Sequence, residues 1–226
     1  MKTKFITAAI LFSGLFFNAQ QISVGEYART AKFNKIIDEI NNGKTVLKYS
    51  DIQGNPFYKN GFSNARVGDT GTTLPVRYNI FKDTFEVLNE NDIYAIPKDN
   101  SFSKFVFVSS NEKFILEKDN EGFAGYFLVL TEGKNKLLKK FAVKFNPEVP
   151  APNTMIPGTP AKFETLKPVY FIKSEDKIIK LTKKSDELIN ALPSDKKDAV
   201  KDFIKSNKIK MTEELDLIKL VNFLNK

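Results

Sequence analysis

From Leu74 to Leu88 the chain reads Leu-Pro-Val-Arg-Tyr-Asn-Ile-Phe-Lys-Asp-Thr-Phe-Glu-Val-Leu, with apolar and polar residues alternating on both sides of a short polar turn. Such alternation lets each arm bury one face only, so the stretch predicts an antiparallel hairpin that seeds a one-sided sheet. Leu74, Val76, Tyr78 and Ile80 share a face of the first arm, and Phe85 and Val87 share it on the second. A turn between Phe81 and Thr84 sets Ile80 against Phe85, Tyr78 against Val87 and Asn79 against Glu86, with Arg77 one diagonal step away.

The same kind of pattern extends to either side. Short alternating or apolar runs separated by turn residues occupy Thr45 to Phe145, the signature of an antiparallel meander. The runs are Thr45 to Tyr49, Phe62 to Val67, Leu74 to Ile80, Thr84 to Leu88, Asp92 to Ile96, Phe102 to Val108, Lys113 to Leu116, Gly125 to Thr131 and Leu137 to Phe145. Turns such as Asn60-Gly61 and Glu132-Gly133 join them, and such short connections make sequence neighbours sheet neighbours.

Before the meander, residues 1–20 combine Lys2 and Lys4, an apolar run from Phe5 to Phe17 and Asn-Ala-Gln, which is the order of a signal peptide. No cysteine follows to take a lipid, and no later run approaches a membrane span. Residues 21–43 predict an N-terminal helix from about 24 to 41, opened by Ser23 and Glu26 and presenting Phe33, Ile36, Ile37 and Ile40 on one face. The β region then covers 44–146. Between 147 and 168 stand six of the ten prolines, which forbid helix and interior strand, so a plain extended linker is expected. The last part, 169–226, reads as a hairpin (Val169–Ile172 with Lys177–Leu181) and three short helices. Leu188 marks the first, Ser194 caps the second, whose face is Ala199, Val200, Phe203 and Ile204, and Thr212 opens the third, whose face is Leu217, Leu220, Val221 and Leu224.

Composition narrows the chemistry. The chain has no histidine and no cysteine, which excludes Ser-His-Asp triads, thiol nucleophiles, imidazole acid-base catalysis, iron-sulfur clusters and His or Cys metal sites. No cofactor motif is present, and no metal site is expected. Loss of Lys2 and Lys4 with the leader lowers the formal charge of +8 to +6, and only Arg29, Arg66 and Arg77 are arginines. A lysine-rich surface interleaved with acids lacks the guanidinium forks that read nucleic acid, so no nucleic-acid partner is expected.

Two stretches resemble a known group. Ile52-Gln-Gly-Asn-Pro-Phe-Tyr together with the Leu74 to Glu86 hairpin, and the tail with Pro-Ser-Asp-Lys-Lys, Phe-Ile-Lys-Ser-Asn-Lys and Asp-Leu-Ile-Lys-Leu-Val-Asn-Phe, resemble a family of exported, uncharacterised proteins from Bacteroidota. The resemblance implies export and carries no activity onto any residue. Proteins of that group that cross the outer membrane by their dedicated route typically end in a β-sandwich sorting domain, whereas this chain ends in a predicted helix, so the periplasm is the expected location.

The best polar constellation is Arg77, Asn79 and Glu86, a guanidinium, amide and carboxylate able to hold a ligand carboxylate or sugar hydroxyls, although on a sheet such a set more commonly acts as an ion pair fixing register. Asp51, Gln53 and Asn55 beside Gly54 read as turn chemistry, and Asp119, Asn120 and Glu121 before Gly122 as a hairpin turn without the ligand spacing of a calcium loop. The expectation is therefore an α+β protein: an N-terminal helix, an antiparallel β-meander able to curl toward a barrel, and a C-terminal hairpin with three short helices. It is expected to be a non-catalytic periplasmic binding or interaction protein for a protein, small-molecule or glycan ligand. Two other classes stand beside it: a carboxylate-dependent hydrolase of envelope glycan using a pair among Asp83, Glu86, Asp92 and Glu112, and a structural partner in an envelope assembly.

Overall fold

The computed structural model describes residues 49, 52–69, 71–89, 92–118, 124–175 and 177–226. The signal peptide, the N-terminal helix, all but Tyr49 of the first expected strand and the Asp119-Asn120-Glu121 turn lie outside the described residues. Twelve strands and three helices follow from Ser63 onward: β1 (Ser63–Val67), β2 (Thr72–Asn79), β3 (Thr84–Asn89), β4 (Asp92–Ala95), β5 (Lys104–Phe107), β6 (Lys113–Lys118), β7 (Ala124–Thr131), β8 (Asn135–Lys140), β9 (Val143–Asn146), β10 (Lys162–Thr165), β11 (Val169–Ser174), β12 (Lys177–Lys180), α1 (Asp186–Ala191), α2 (Ser194–Ser206) and α3 (Glu214–Leu224).

Ten strands form one antiparallel sheet in the order β12-β11-β8-β7-β6-β5-β1-β2-β3-β4. Two meanders, β1 to β4 and β5 to β8, are therefore spliced side by side. The splice is where sequence order fails: the chain leaving β4 returns past β3 and β2, so that β5 pairs with β1. The final hairpin continues the same sheet, because β11 pairs with β8 from Val169 to Ser174.

Alternation decides which face is packed. Tyr78, Phe85, Phe105, Phe107, Phe114 and Tyr126 are buried together on one side of β2, β3, β5, β6 and β7. Sheet neighbours lie about 4.8 Å apart, so a flat sheet would separate β3 from β7, five places away, by roughly 24 Å. Yet the rings of Phe85 and Tyr126 meet edge to face with centroids 4.9 Å apart. The sheet is thus strongly curled around its aromatic core. Among the described residues it does not close: β4 and β12 are its edges, and the barrel anticipated as a possibility is not formed.

On the same face, beyond Leu130, the helices cover the other half of the sheet. Leu137 and Ile172 pack with Leu188, Val200 and the α3 residues Leu217, Leu220, Val221 and Leu224. The α3 stripe is the one the sequence spacing marks, and Leu215, on its margin, faces solvent. In α2 only Val200 is fully buried while Ala199 is exposed. Thr212 lies outside α3, which starts at Glu214 with no side-chain cap.

Residues 143–165 differ most from expectation. The single strand anticipated over Leu137 to Phe145 breaks at Phe141-Ala142; β8 stays in the main sheet and β9 leaves it to pair with β10 as a separate ribbon. The ribbon register, Asn146 opposite Lys162, continues outward to Val149 opposite Thr159, joined by two backbone hydrogen bonds of 2.8 Å. A final bridge pairs Asn153 with Ile156. The proline-rich segment is a hairpin arm, not a plain linker. Proline excludes an interior strand, but in a two-stranded ribbon each strand has an outward edge where a missing N–H costs nothing.

Candidate functional site

Arg77, Asn79 and Glu86 do come together, in a register different from the one expected. Arg77 stands directly opposite Glu86, and Asn79 opposite Thr84, because the turn closes one residue earlier, on Ile80 to Asp83. The same face is kept, since the slip moves the pairing by an even step. Glu86 accepts from Arg77 Nε on Oε2 at 2.7 Å and from Asn79 Nδ2 on Oε1 at 2.8 Å. Asn79 Oδ1 accepts in turn from the Lys82 backbone N–H at 3.0 Å. Asn79 is 0% and Glu86 4% exposed, and the Arg77 guanidinium lies over Phe57 and Phe62, 3.9 and 4.6 Å from the ring centroids. A ligand carboxylate would have to displace Glu86 from Arg77 to enter.

Of these aromatics, Phe57 comes from the Ile52-Gln-Gly-Asn-Pro-Phe-Tyr segment, which stitches the ribbon to β2, and Phe62 is the residue just before β1. Gln53 exchanges backbone hydrogen bonds with Ala161 and Phe163, while Tyr58 N–H donates to Tyr78 O and Ile80 N–H to Pro56 O. Asn55 Oδ1 accepts from the Phe57 N–H at 2.9 Å, the turn chemistry expected of it. Gly54 is required here: its φ is +86°, and a Cβ would lie 2.3 Å from Phe163 O.

Asp83 makes the richer constellation. It occupies the β2–β3 turn at φ +50°, a left-handed conformation that Asp and Asn tolerate better than most residues. Its Oδ1 accepts from Tyr78 OH at 2.6 Å, the Tyr126 N–H at 3.2 Å and Lys140 Nζ at 2.6 Å, and its Oδ2 from Lys98 Nζ at 2.9 Å. One carboxylate therefore ties β2, β7, β8 and the strap after β4 across the mouth of the curled sheet. A Cβ on Gly125 would meet Lys140 Nζ at 2.6 Å and Asp83 Oδ2 at 2.9 Å, so a glycine there is what lets the ion pair lie against the strand. Burial alone would raise the Asp83 carboxyl, but Lys140, Lys98 and the Tyr78 hydroxyl outweigh it and hold it below the ordinary range. Tyr78 is pushed well up by burial and by the facing Asp83 charge. In the sequence Asp83 is one turn acid among several, and nothing local links it to Lys140, 57 residues on.

A third cluster joins Tyr58, Lys59, Ser110 and Glu112. Tyr58 OH donates to Glu112 Oε1 at 2.7 Å, Ser110 Oγ to Oε2 at 2.6 Å, and Lys59 pairs with the same carboxylate while reaching Ser110 Oγ at 3.0 Å. A serine beside a lysine is a nucleophile-base arrangement only when the lysine is neutral. Here Glu112 holds Lys59 in an ion pair, and against its own desolvation Glu112 is kept below the usual range by Lys59, Ser110 and Tyr58.

Of the four acids weighed for glycan hydrolysis, Asp83, Glu86 and Glu112 are each ion-paired, and Asp92 lies on the exposed edge strand β4. A glycosidase acid needs a raised carboxyl; Asp83 and Glu112 are lowered. Among the described residues no group of three or more metal-ligating acids is assembled, no helix is long and apolar enough to cross a membrane, and every buried side-chain nitrogen and oxygen has a hydrogen-bond partner.

The described part thus defines a class: an α+β protein with an open, curled antiparallel sheet, internally fastened polar clusters and a projecting ribbon arm. Compared with family models, curated proteins and solved structures, the chain matches none of them.

Proposed function

We propose that this is an exported, non-catalytic interaction protein of the cell envelope, working in the periplasm. The observation that carries this reading is the arm beyond the ribbon, all of whose residues from 147 to 160 are exposed. It presents Val149, Met155 and Ile156 to solvent, apolar groups that the sheet and helices do not use. Singly exposed apolar residues are ordinary, but several gathered on one projecting element mark a surface for a partner. The polar clusters support the same reading from the other side, because Asp83, Glu86 and Glu112 act as fastenings between strands. Export is supported by the charge, apolar run and small-residue order of residues 1–20, and the envelope setting by the resemblance carried by the Ile52 segment, the hairpin and the tail.

The test is lysine-directed crosslinking in intact cells of the producing organism, followed by mass spectrometry of what is captured with the mature chain. A reproducible partner protein is the expected result. Self-links alone would overturn the proposal, and cleavage of purified envelope glycan by the wild-type chain would put the hydrolase reading in its place.

A further inference from the structure

Deepening the interaction reading, on which it rests, we infer that the arm tip, Met155 and Ile156, is the recognition element, and that its partner is a folded protein with an uncharged apolar recess.

Four observations converge on that partner. The tip is held in one shape: Asn153 Oδ1 accepts from the N–H groups of both Met155 and Ile156 at 3.0 Å, and the paired hydrogen bonds between Val149 and Thr159 brace the stem. A preorganised hairpin loses little conformational entropy when it docks. Met155 is 92% and Ile156 54% exposed, so both offer apolar area that is still in water. From Val149 to Ala161 there is no charged residue, in a chain that is 27% charged. Burying the tip desolvates no ion, and charge complementarity is met by a neutral recess.

The fourth observation concerns what the arm cannot do. Prolines at 147, 150, 152, 157 and 160 remove N–H donors from both edges of the hairpin. That blunts strand addition, whether by a partner peptide or by another copy of the chain. Recognition therefore falls to the side chains at the tip. A lipid surface fits less well, because two side chains bury less apolar area than one myristoyl chain, which by itself gives only marginal membrane binding.

The experiment places a photo-crosslinking side chain at position 155, and in a second preparation at Lys201 on the exposed side of α2, in full-length protein produced in its own cells. The expected result is a discrete protein adduct from position 155 that is absent from position 201 and is lost when Ile156→Asp is added. The captured protein, once purified, should bind the wild-type chain and bind Ile156→Asp about tenfold or more weakly. Met155→Ser, which adds no charge, should weaken binding in the same direction, and both variants should keep the wild-type thermal midpoint. Adducts that are lipid only, adducts with a second copy only, the same adducts from both positions, or unchanged affinity of Ile156→Asp would each overturn the inference. If lysine crosslinks map a partner to another surface, such as β4, the interaction reading survives and the arm's role falls; if no partner is captured by either method, both fall.

Discussion

At the scale of single residues, Asp83 joins strands that are far apart in the sheet order, β2 with β7 and β8. Asp83→Asn tests the charge separately from the backbone, since asparagine tolerates the left-handed turn as aspartate does. Removing the carboxylate leaves Lys98 and Lys140 facing a neutral amide, and the expected loss is about 2 to 3 kcal/mol of unfolding free energy, read from the urea midpoint at constant slope. Gly125→Ala attacks the same contact from the other side by pushing its Cβ into Lys140 and the carboxylate. The two substitutions should therefore be less than additive, by about 1 kcal/mol or more in a double-mutant cycle. Full additivity would mean that the clasp does not hold the curl. The Arg77, Asn79 and Glu86 cluster was legible in the sequence because its members are nine residues apart at most and share a strand face. The clasp was not, since it depends on how tightly the sheet curls, and alternation says which side is buried but not the curvature.

At the scale of elements, local pattern placed the strands well and failed where pairing is long-range. The insertion of β1 between β2 and β5 leaves no trace in periodicity. The proline count misled about 147–168 because it rules out interior strands, whereas the arm is all edge. The helices followed their apolar spacing, and polar groups at the end of α3 add a second fastening to the sheet beside its buried apolar stripe. Asn225 Oδ1 accepts from the Asn135 N–H at 2.7 Å, and Asn225 Nδ2 donates to Asn135 O at 2.9 Å. The buried Asn135 amide donates to Leu224 O at 3.0 Å. Gly133, at φ +140°, makes room, for a Cβ there would come within 2.5 Å of the Asn225 amide. Asn225→Ala removes both partners of the Asn135 backbone and should cost about 2 kcal/mol. Hydrogen exchange should then rise first in α3 and the β7–β8 turn, with β1 to β3 protected as before. Uniform loss of protection across the sheet would mean that α3 is not a separable fastening.

For the whole molecule, the ionisable groups set the pH range over which these fastenings hold. Asp83 and Glu112 lie below their ordinary values of 3.8 and 4.5, so as pH falls the unfolded chain binds protons first. Their contribution is complete above the unfolded values and is lost as the pH drops through the folded ones. Tyrosines close the other side. Burial, then the Glu214 hydrogen bond and charge, push Tyr170 up to about 12, and Tyr58, Tyr78 and Tyr126 are raised from 10.0 with burial as the leading cause. Their contribution is full below the unfolded value and disappears as pH rises through the folded ones, so alkaline unfolding should coincide with tyrosinate absorbance. With no histidine or cysteine in the chain, stability should be flat between about pH 5 and 9, measured as the urea midpoint across that range. Stability that falls as pH rises between about 5 and 7 would point to a carboxylate pushed upward by its surroundings. That is the property a glycosidase general acid needs, so the same titration that checks the fastenings would also bring the hydrolase reading back into contention.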